Sequence, residues 1–371
     1  MSEHDARFMA LALRLAARGL GNAWPNPAVG CVVVRGGRIV GRGWTQPGGR
    51  PHAEVEALRR AGPAALGATA YVSLEPCAHY GQTPPCTMAL LQAGVRRVVV
   101  AAGDPDPRVD GKGLNQLRVA GVEVAFGVLR AEAEALNAGF FLKVRRERPL
   151  VTLKLATSAD ARVATRTGES QWITGAEARA AGQQLRASHD AILIGSGTAL
   201  ADDPLLTCRL PGLEARSPAR IVLDGSVRLA PTSQLAATAG EVPTWLITRE
   251  DAPVDRTAPL RARRVELIEA VAGPDGRLDP GSVLRLLAGR GITRLLIEGG
   301  PTVATAFLRA RLVDRLAWFR APLLLGGDGV PALGPLDIDR LDQARALAPG
   351  RIRTLAADQL ASYIVSNDEG S

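Results

Sequence analysis

Short apolar strands alternate with helical segments along the whole chain, and this order restricts the fold more than any other feature of the sequence. A chain of this kind buries its strands in a central sheet and covers the sheet with helices. Over the first 145 residues the predicted strands are Gly30–Arg35, Arg38–Trp44, Ala70–Leu74, Val95–Ala101 and Val122–Phe126. The predicted helices there are Asp5–Gly19, His52–Ala61, Pro85–Ala93, Leu114–Ala120 and Ala131–Leu142.

A charged segment that ends in proline, Lys143–Pro149, marks a predicted domain boundary. We predict a three-layer α/β domain over residues 1–145 and a second α/β domain over residues 146–371. The predicted strands of the second domain are Val151–Ala156, Ala191–Ile194, Arg220–Leu223, Val242–Thr248, Val265–Ile268, Arg294–Ile297 and Arg315–Leu324. Its predicted helices are Ala176–Ala187, Ser282–Ala288 and Thr302–Arg309, and Ala230–Pro259 outside Val242–Thr248 is predicted as surface loop.

Composition and charge narrow the class of protein. The first ten residues lack the apolar run of a secretory signal, and no stretch approaches the roughly 20 apolar residues of a membrane span. Four cysteines do not make a disulfide scaffold, so we expect a cytoplasmic protein with thiols free for metal. The net charge of +8 fits a solvated arginine-rich surface or an anionic ligand. Because aromatic residues make up only 4%, a nucleic-acid groove is not expected.

Four side chains in the first half have the chemistry of a catalytic zinc site. His52 and Glu54 stand at a predicted helix start, Cys77 follows a predicted strand, and Cys86 lies at the start of the next helix. One imidazole and two thiolates leave a free position for water, whose pKa zinc brings close to 7. We predict that His52, Cys77 and Cys86 bind one zinc ion. Glu54 would move protons from the water to a ring nitrogen and the departing ammonia.

The cysteine spacing departs from the general deaminase signature, in which the two cysteines stand as P-C-x-x-C. Here eight residues, AHYGQTPP, separate Cys77 from Cys86. The alternative is a core histidine with buried structural thiols, an interpretation that also fits Cys31 and Cys208. His79 lies in the inserted loop and is either a surface residue or a substrate contact.

Several segments of the sequence resemble the bifunctional deaminase/reductase family of riboflavin biosynthesis, including its eight-residue cysteine spacing. In the first half these are PNPAVGC at 25–31, PHAE at 51–54 and the stretch from LEPC at 74–77 to TPPC at 83–86. In the second half they are KLA at 154–156, GESQWIT at 168–174, ADDP at 201–204 and EGGPT at 298–302. The resemblance covers about residues 5–365.

The resemblance implies a cytidine-deaminase-like fold followed by a dihydrofolate-reductase-like fold. It implies that residues 1–145 hydrolyse the ring amino group of 2,5-diamino-6-(5-phosphoribosylamino)pyrimidin-4-one, with Asn26 and His79 in contact with the substrate. It implies that residues 146–371 use NADPH to reduce the ribosyl side chain to ribityl. Family precedent further suggests a homo-oligomer that acts on a small phosphorylated pyrimidine, with neither nucleic acid nor membrane as partner.

Two glycine-rich turns give the cofactor prediction a physical basis. The glycines of Glu298–Thr302 let a phosphate approach the backbone, and the N–H groups of the following helix attract an anion. The segment Gly195–Thr198 follows its strand in the same way, although each turn alone could be a plain strand–turn–helix joint. With the resemblance, the predicted cofactor residues are Ala156, Trp172, Thr198, Asp202, Gly299, Gly300, Pro301 and Thr302.

The family's substrate contacts correspond here to Ser170, Arg186, Leu206, Arg209 and Glu298. A guanidinium pairs with phosphate in bidentate fashion, but each arginine could equally belong to a surface salt bridge. Candidate proton donors for the reduction are Asp202 and Lys154. The turn SADA at 158–161 carries Ala159 and Ala161 where many relatives have Leu and Gly, and we expect a tighter turn without loss of activity.

Three other functions are compatible with parts of the sequence. One is a tRNA-editing deaminase with an accessory nucleotide-binding domain. Another is a non-enzymatic scaffold stabilised by zinc, but a structural zinc site usually has four protein ligands, whereas we count three. The third is a chain in which only the deaminase half is active.

Overall fold

The computed structural model describes residues 3–367, which divide into two compact units, residues 3–148 and residues 149–367. The strands of the first unit are β1 Gly30–Arg35, β2 Arg38–Trp44, β3 Thr69–Leu74, β4 Arg97–Ala102 and β5 Glu123–Phe126. Its helices are α1 Glu3–Ala16, α2 Ala53–Ala61, α3 Cys86–Gln92, α4 Lys112–Val119, α5 Arg130–Leu136 and α6 Ala138–Arg146.

The first unit is built on a five-stranded sheet in the order β2-β1-β3-β4-β5. Strand β1 is antiparallel to β2 and β3, whereas β3, β4 and β5 run parallel. Strands β3 and β4 are buried along almost their whole length, as expected of strands covered on both faces.

Helices α1 and α2 lie directly on the sheet backbone at three glycines. A Cβ atom at Gly30 would stand 1.9 Å from the carbonyl oxygen of Ala12 in α1. A Cβ at Gly41 or Gly43 would come within about 2.2 Å of a carbonyl oxygen of α2. Because Gly43 pairs with Cys31 while Gly30 is the residue just before Cys31 in β1, the two helices cover opposite faces. The first unit therefore has three layers.

The second unit contains strands β6 to β16 and helices α7 to α12. The strands are β6 Leu150–Thr157, β7 Arg162–Ala164, β8 Ala191–Gly195, β9 Ala219–Leu223, β10 Thr244–Thr248, β11 Glu266–Glu269, β12 Arg294–Ile297, β13 Arg315–Arg320, β14 Val330–Pro331, β15 Leu347–Leu355 and β16 Asp358–Val365. The helices are α7 Ala176–Ala187, α8 Ser196–Asp202, α9 Gln234–Ala237, α10 Val254–Ala262, α11 Pro280–Gly289 and α12 Pro301–Arg309.

The main sheet of the second unit has nine strands in the order β11-β10-β9-β8-β12-β6-β13-β16-β15. The seven strands from β11 to β13 are parallel, and the hairpin β15–β16 continues the sheet in antiparallel fashion. Parallel strands place their carboxyl ends at one edge, which is the usual place for a ligand in such sheets. Strands β7 and β14 form a separate antiparallel pair.

Several predicted elements of the first unit need correction. The helix predicted over Ala131–Leu142 is broken at Asn137, whose side chain exchanges two 3.0 Å hydrogen bonds with the backbone of Ala28. The predicted boundary segment Lys143–Pro149 is helical as far as Arg146, since α6 continues from the buried Phe140 and Phe141.

The second unit also differs from the prediction in places. The segment predicted as surface loop contains α9 and α10, which bury Leu235 and Leu260 completely. The strand predicted to reach Leu324 ends at Arg320, and Leu324 is exposed. The hairpin β15–β16 was not predicted, because β15 is almost fully exposed and is interrupted by a bulge after Pro349. Within residues 3–367, none of the helices is long and apolar enough to span a bilayer.

Candidate active site

The three predicted zinc ligands converge at the ends of secondary-structure elements. His52 is the N-cap of α2, Cys77 follows β3, and Cys86 is the first residue of α3. Their potential ligand atoms all lie within 4.8 Å of one another. His52 Nδ1 is 3.2 Å from the Sγ of Cys86 and 3.7 Å from the Sγ of Cys77. The fold thus brings together residues that are up to 34 positions apart in sequence.

This donor set fits zinc. One imidazole nitrogen and two sulfurs are the ligands zinc prefers, and three protein ligands leave one tetrahedral position open. The Cys77 sulfur accepts hydrogen bonds from the Cys86 side chain, His52 and the backbone N–H of Cys86, at 3.3 Å for the last. Although burial acts in the opposite direction, these donors lower the pKa of Cys77 to about 4. A thiolate, the form that binds metal, is therefore favoured.

Glu54 lies in the first turn of α2 with only 3% of its surface exposed. Burial raises the pKa of its carboxyl to about 7, with the neighbouring His52 acting in the opposite direction. Its side chain interacts with that of Cys86. A buried carboxyl that gains and loses a proton near neutral pH is suited to general acid–base work.

Asn26 and His79, the predicted substrate contacts of this unit, lie on segments adjoining the ligands. Asn26 donates a hydrogen bond from Nδ2 to the backbone oxygen of Gly49 at 3.0 Å, and Gly49 lies three residues before His52 in the chain. The Nδ1 atom of His79 is buried without a hydrogen-bond partner. Their contact with a substrate stays a prediction.

Glu75 was not singled out from the sequence, yet it organises the loop beside Cys77. Its carboxylate accepts backbone N–H groups of Gly111, Gly113 and Leu114 at 3.1, 2.9 and 3.2 Å. It therefore connects the end of β3 to the start of α4. The contiguous string Leu74–Cys77 was the signal that could have identified it.

The second unit holds a cavity of about 810 Å³ at the carboxyl ends of its parallel strands. All eight predicted cofactor residues line it: Ala156, Trp172, Thr198, Asp202, Gly299, Gly300, Pro301 and Thr302. Of the five predicted substrate residues, Ser170 and Glu298 line it, and Arg186, Leu206 and Arg209 do not. Leu206 is 4% exposed in an apolar cluster, and Arg209 is exposed.

The two glycine-rich turns meet in this cavity. Gly300 is the N-cap of α12 and Gly195 that of α8. A Cβ at Gly300 would stand 3.1 Å from the Oγ1 of Thr198, so the turns are neighbours. Gly299 has a φ of 109°, a conformation that favours glycine. Two adjacent helix starts with bare backbone fit the diphosphate of a dinucleotide.

Three charged side chains lie beside these turns. Arg186 pairs with Glu298, and the Nζ of Lys154 is 3.7 Å from an oxygen of the same carboxylate. Burial would raise the pKa of Glu298, but the positive charges of Arg186 and Lys154 outweigh it and bring that pKa to about 2. The Glu298 carboxylate is thus held as an anion.

Four arginines that line the cavity were missed: Arg179, Arg228, Arg249 and Arg277. The guanidinium of Arg179 lies 4.8 Å from the ring centre of Trp172. The sequence carried no signal for the others, since each has an acidic residue within four positions and resembles an ordinary surface pair.

The turn at residues 158–161 holds a non-glycine residue in the left-handed region. Ala161 has a φ of 61°. Asp160 accepts hydrogen bonds from the Oγ of Ser158 at 2.5 Å and from the backbone N–H of Gly326 at 2.8 Å. Alanine in this conformation bears strain that glycine would not, and a turn tighter than that of relatives with glycine stays a prediction.

Two protein families match this chain. The family model of the cytidine and deoxycytidylate deaminase zinc-binding region matches residues 2–102. That of the RibD C-terminal domain matches residues 149–356. These matches agree with the predicted fold class, a deaminase-like domain followed by a reductase-like domain.

Relatives are similar over nearly the whole chain. The riboflavin biosynthesis protein RibD of Escherichia coli (strain K12) is 46% identical over 336 residues, covering 87% of this chain and 89% of that protein. The structure of Acinetobacter baumannii RibD, form 2, has a TM-score of 0.87 at 37% identity and covers 98% of this chain and 99% of its own. A deaminase/reductase from Thermotoga maritima has a TM-score of 0.85 at 32% identity, with the same coverage of both chains.

Proposed function

The chain belongs to the RibD family of bifunctional riboflavin biosynthesis proteins, and we propose how its residues divide the two reactions of deamination and reduction. The family has a zinc deaminase domain and a reductase domain that uses NADPH. We assign deamination to the first unit and reduction to the second. The RibD C-terminal domain over residues 149–356 does not favour the tRNA-editing alternative.

In the first unit, His52, Cys77 and Cys86 would hold the zinc ion. Bound zinc acts as a Lewis acid that brings the pKa of a water molecule close to 7. The Glu54 carboxylate would take one proton from the attacking water and pass it to the ring nitrogen, and would then carry the proton of the added hydroxyl to the departing amino group. Asn26 and His79 orient the pyrimidine. The substrate is 2,5-diamino-6-(5-phosphoribosylamino)pyrimidin-4-one, and ammonia leaves.

In the second unit, the two glycine turns would hold the diphosphate of NADPH, which supplies the hydride when bound. Trp172 and Asp202 contact the cofactor along the cavity. Glu298, held by Arg186, faces the same cavity as Lys154 and orients the pyrimidine whose ribosyl chain is reduced. Lys154 lies beside that carboxylate and, unlike Arg186, lines the cavity, so it is the candidate proton donor to the opened sugar. Cytoplasmic location and homo-oligomerisation stay predictions.

One observation carries the proposal: the three ligand atoms lie within 4.8 Å of one another, and Glu54 lies buried beside them. The experiment supplies the diaminopyrimidine phosphate to the zinc-loaded chain with and without NADPH. We expect ammonia in both cases, and loss of the nicotinamide absorbance band only when NADPH and the pyrimidine are both present. Ammonia without any NADPH consumption would contradict the reductase assignment. Its absence in both cases would contradict the deaminase assignment.

A further inference from the structure

The cavity of the second unit has a cationic end at strands β9 and β10. Arg228 follows β9, Arg249 follows β10, and Arg277 precedes α11. The carboxylates that line the cavity, Asp202 and Glu298, follow strands nearer the centre of the sheet. The lining residues between Leu223 and Pro280 include no carboxylate. This end therefore suits an anionic group.

The order of the strands places the cationic end of the cavity beside the adenosine part of a bound dinucleotide. From β6, which carries Lys154, the parallel strands follow as β12, β8, β9 and β10. Neighbouring strands are about 4.8 Å apart, so four spacings separate β6 from β10 by roughly 19 Å. With the diphosphate on the turns after β12 and β8 and the nicotinamide towards Lys154, the adenosine extends over β9 to β10. This placement rests on the proposed function.

The acidic residue at the end of β9 is not available to a ribose. In many NAD-binding sites an Asp or Glu at a strand end binds the 2′-hydroxyl of the adenosine ribose. Here Asp224 is buried, and its Oδ2 accepts the backbone N–H groups of Arg228 and Leu229 at 2.5 and 2.8 Å. The side chain closes its own turn, so this end presents guanidinium groups to the ribose instead.

Two of the three arginines are free to turn towards a ligand. The stem of Arg249 packs over Gly225, where a Cβ would come within 3.4 Å of its Cγ. Its Nε is 3.1 Å from an oxygen of Asp251, whose side chain is 72% exposed. Arg277 is 3.9 Å from the similarly exposed Asp275. Exposed pairs of this kind are weak and are readily exchanged for a phosphate.

Arg228 has a different role from the other two. Its Nη2 donates to the Oγ of Ser196 in the glycine turn after β8, and its Nε is 3.7 Å from the Oδ1 of Asp224. It therefore lies against the diphosphate turn, closer to the middle of the ligand than the ribose end.

We propose that Arg249 and Arg277 bind the 2′-phosphate of NADPH and thereby determine the preference for NADPH over NADH. The planar guanidinium of arginine forms bidentate hydrogen bonds with a phosphate. NADH offers a neutral hydroxyl at this position, so it gains much less from either side chain than the charged phosphate does.

The experiment measures binding of NADP⁺ and of NAD⁺ to the full-length chain by isothermal titration calorimetry, without any turnover. The variants are Arg249→Met and Arg277→Met, which keep an apolar stem, and the double variant. We expect each single variant to weaken NADP⁺ binding about tenfold and to leave NAD⁺ binding within about twofold. The double variant should bind the two nucleotides equally. Unchanged NAD⁺ binding also shows that the variants remain folded.

Arg340→Met is the matched control, because Arg340 also pairs with an acidic residue two positions away but does not line the cavity. It should leave both affinities unchanged. If NADP⁺ does not bind the unaltered chain, the proposed reductase function fails together with this proposal. If NADP⁺ binds and the double variant keeps the full preference, only the assignment of Arg249 and Arg277 is overturned. Equal weakening of NADP⁺ and NAD⁺ overturns it as well.

Discussion

Arg186 donates two parallel hydrogen bonds to Glu298, from Nε to Oε1 at 2.7 Å and from Nη2 to Oε2 at 2.9 Å. Its remaining nitrogen, Nη1, donates to the backbone oxygen of Thr207 at 3.0 Å. The two side chains are only 13% and 9% exposed. This one guanidinium therefore fixes the carboxylate at the cavity wall and connects α7 to the segment after α8.

Removal of the guanidinium should destabilise the second unit. Arg186→Met leaves the buried Glu298 carboxylate with Lys154 as its ion-pair partner among the described residues, and breaking a buried pair typically costs about 3–5 kcal/mol. Urea unfolding of the variant should show a loss in this range. The double variant R186M/E298Q should recover part of the lost free energy of unfolding, because no unpaired carboxylate is then buried. A double variant less stable than R186M would contradict the pairing.

Glu298 should also make stability depend on acid pH. Its pKa is about 2 in the folded chain against an ordinary value of 4.5, so the carboxylate stabilises the fold above about pH 4.5. That contribution, roughly 3 kcal/mol in total, is lost as the pH falls from about 5 towards 2. Unfolding free energies measured across this range should fall less steeply in Glu298→Gln than in the unaltered chain. Identical slopes would show that Glu298 is not held as a stabilised anion.

Glu54→Gln should keep zinc and lose deamination. The amide is similar in size but cannot accept a proton, and proton transfer of this kind contributes about a hundredfold or more to rate. Ammonia release and zinc content of the purified variant test the two halves of this statement. Turnover close to that of the unaltered chain would reject Glu54 as the proton carrier. Reduction of the deaminated pyrimidine by NADPH should be unaffected.

Cys86→Ser should lose zinc, because a serine hydroxyl is a much poorer ligand than a thiolate. Changes next to a ligand usually cost 10–100-fold in metal affinity, so loss of the ligand itself should cost more than about a hundredfold. Metal analysis after dialysis against a weak chelator measures this. Cys208→Ser is the control, since Cys208 is also buried but lies in the second unit. Full zinc content in the Cys86 variant would remove it from the ligand set.

Ala161→Gly should stabilise the second unit by about 1 kcal/mol, since alanine at a φ of 61° bears a cost that glycine does not. A thermal melt should show its transition about 2–4 °C higher. Ala159→Gly serves as the comparison: Ala159 is outside the left-handed region, and its replacement should lower stability through the greater freedom of the unfolded chain. A lower melting temperature for Ala161→Gly would mean that the turn tolerates alanine without strain.

The sequence predicted the metal site better than the ends of the nucleotide cavity. His52, Glu54, Cys77 and Cys86 stand at helix starts and strand ends that local patterns predict, and the fold gathers them. The break at Asn137 could not be foreseen, since it follows from hydrogen bonds to Ala28, 109 residues away. Arg249 and Arg277 share a cavity only because β10 and β11 are adjacent, a relation that no local pattern contains.

Because Gly41 and Gly43 have no side chains, the backbone of α2 lies at a fixed, short distance from strand β2. Main-chain atoms of α2 come within contact distance of the sheet at these glycines, so the contact itself fixes the distance between the first turn of α2 and β2. Substitutions on the exposed face of α2 can then accumulate without displacing His52 or Glu54. A methyl group added at Gly41 or Gly43 would displace His52 and Glu54 together. The relative position of the imidazole and the carboxylate therefore depends on two residues that contact neither metal nor substrate.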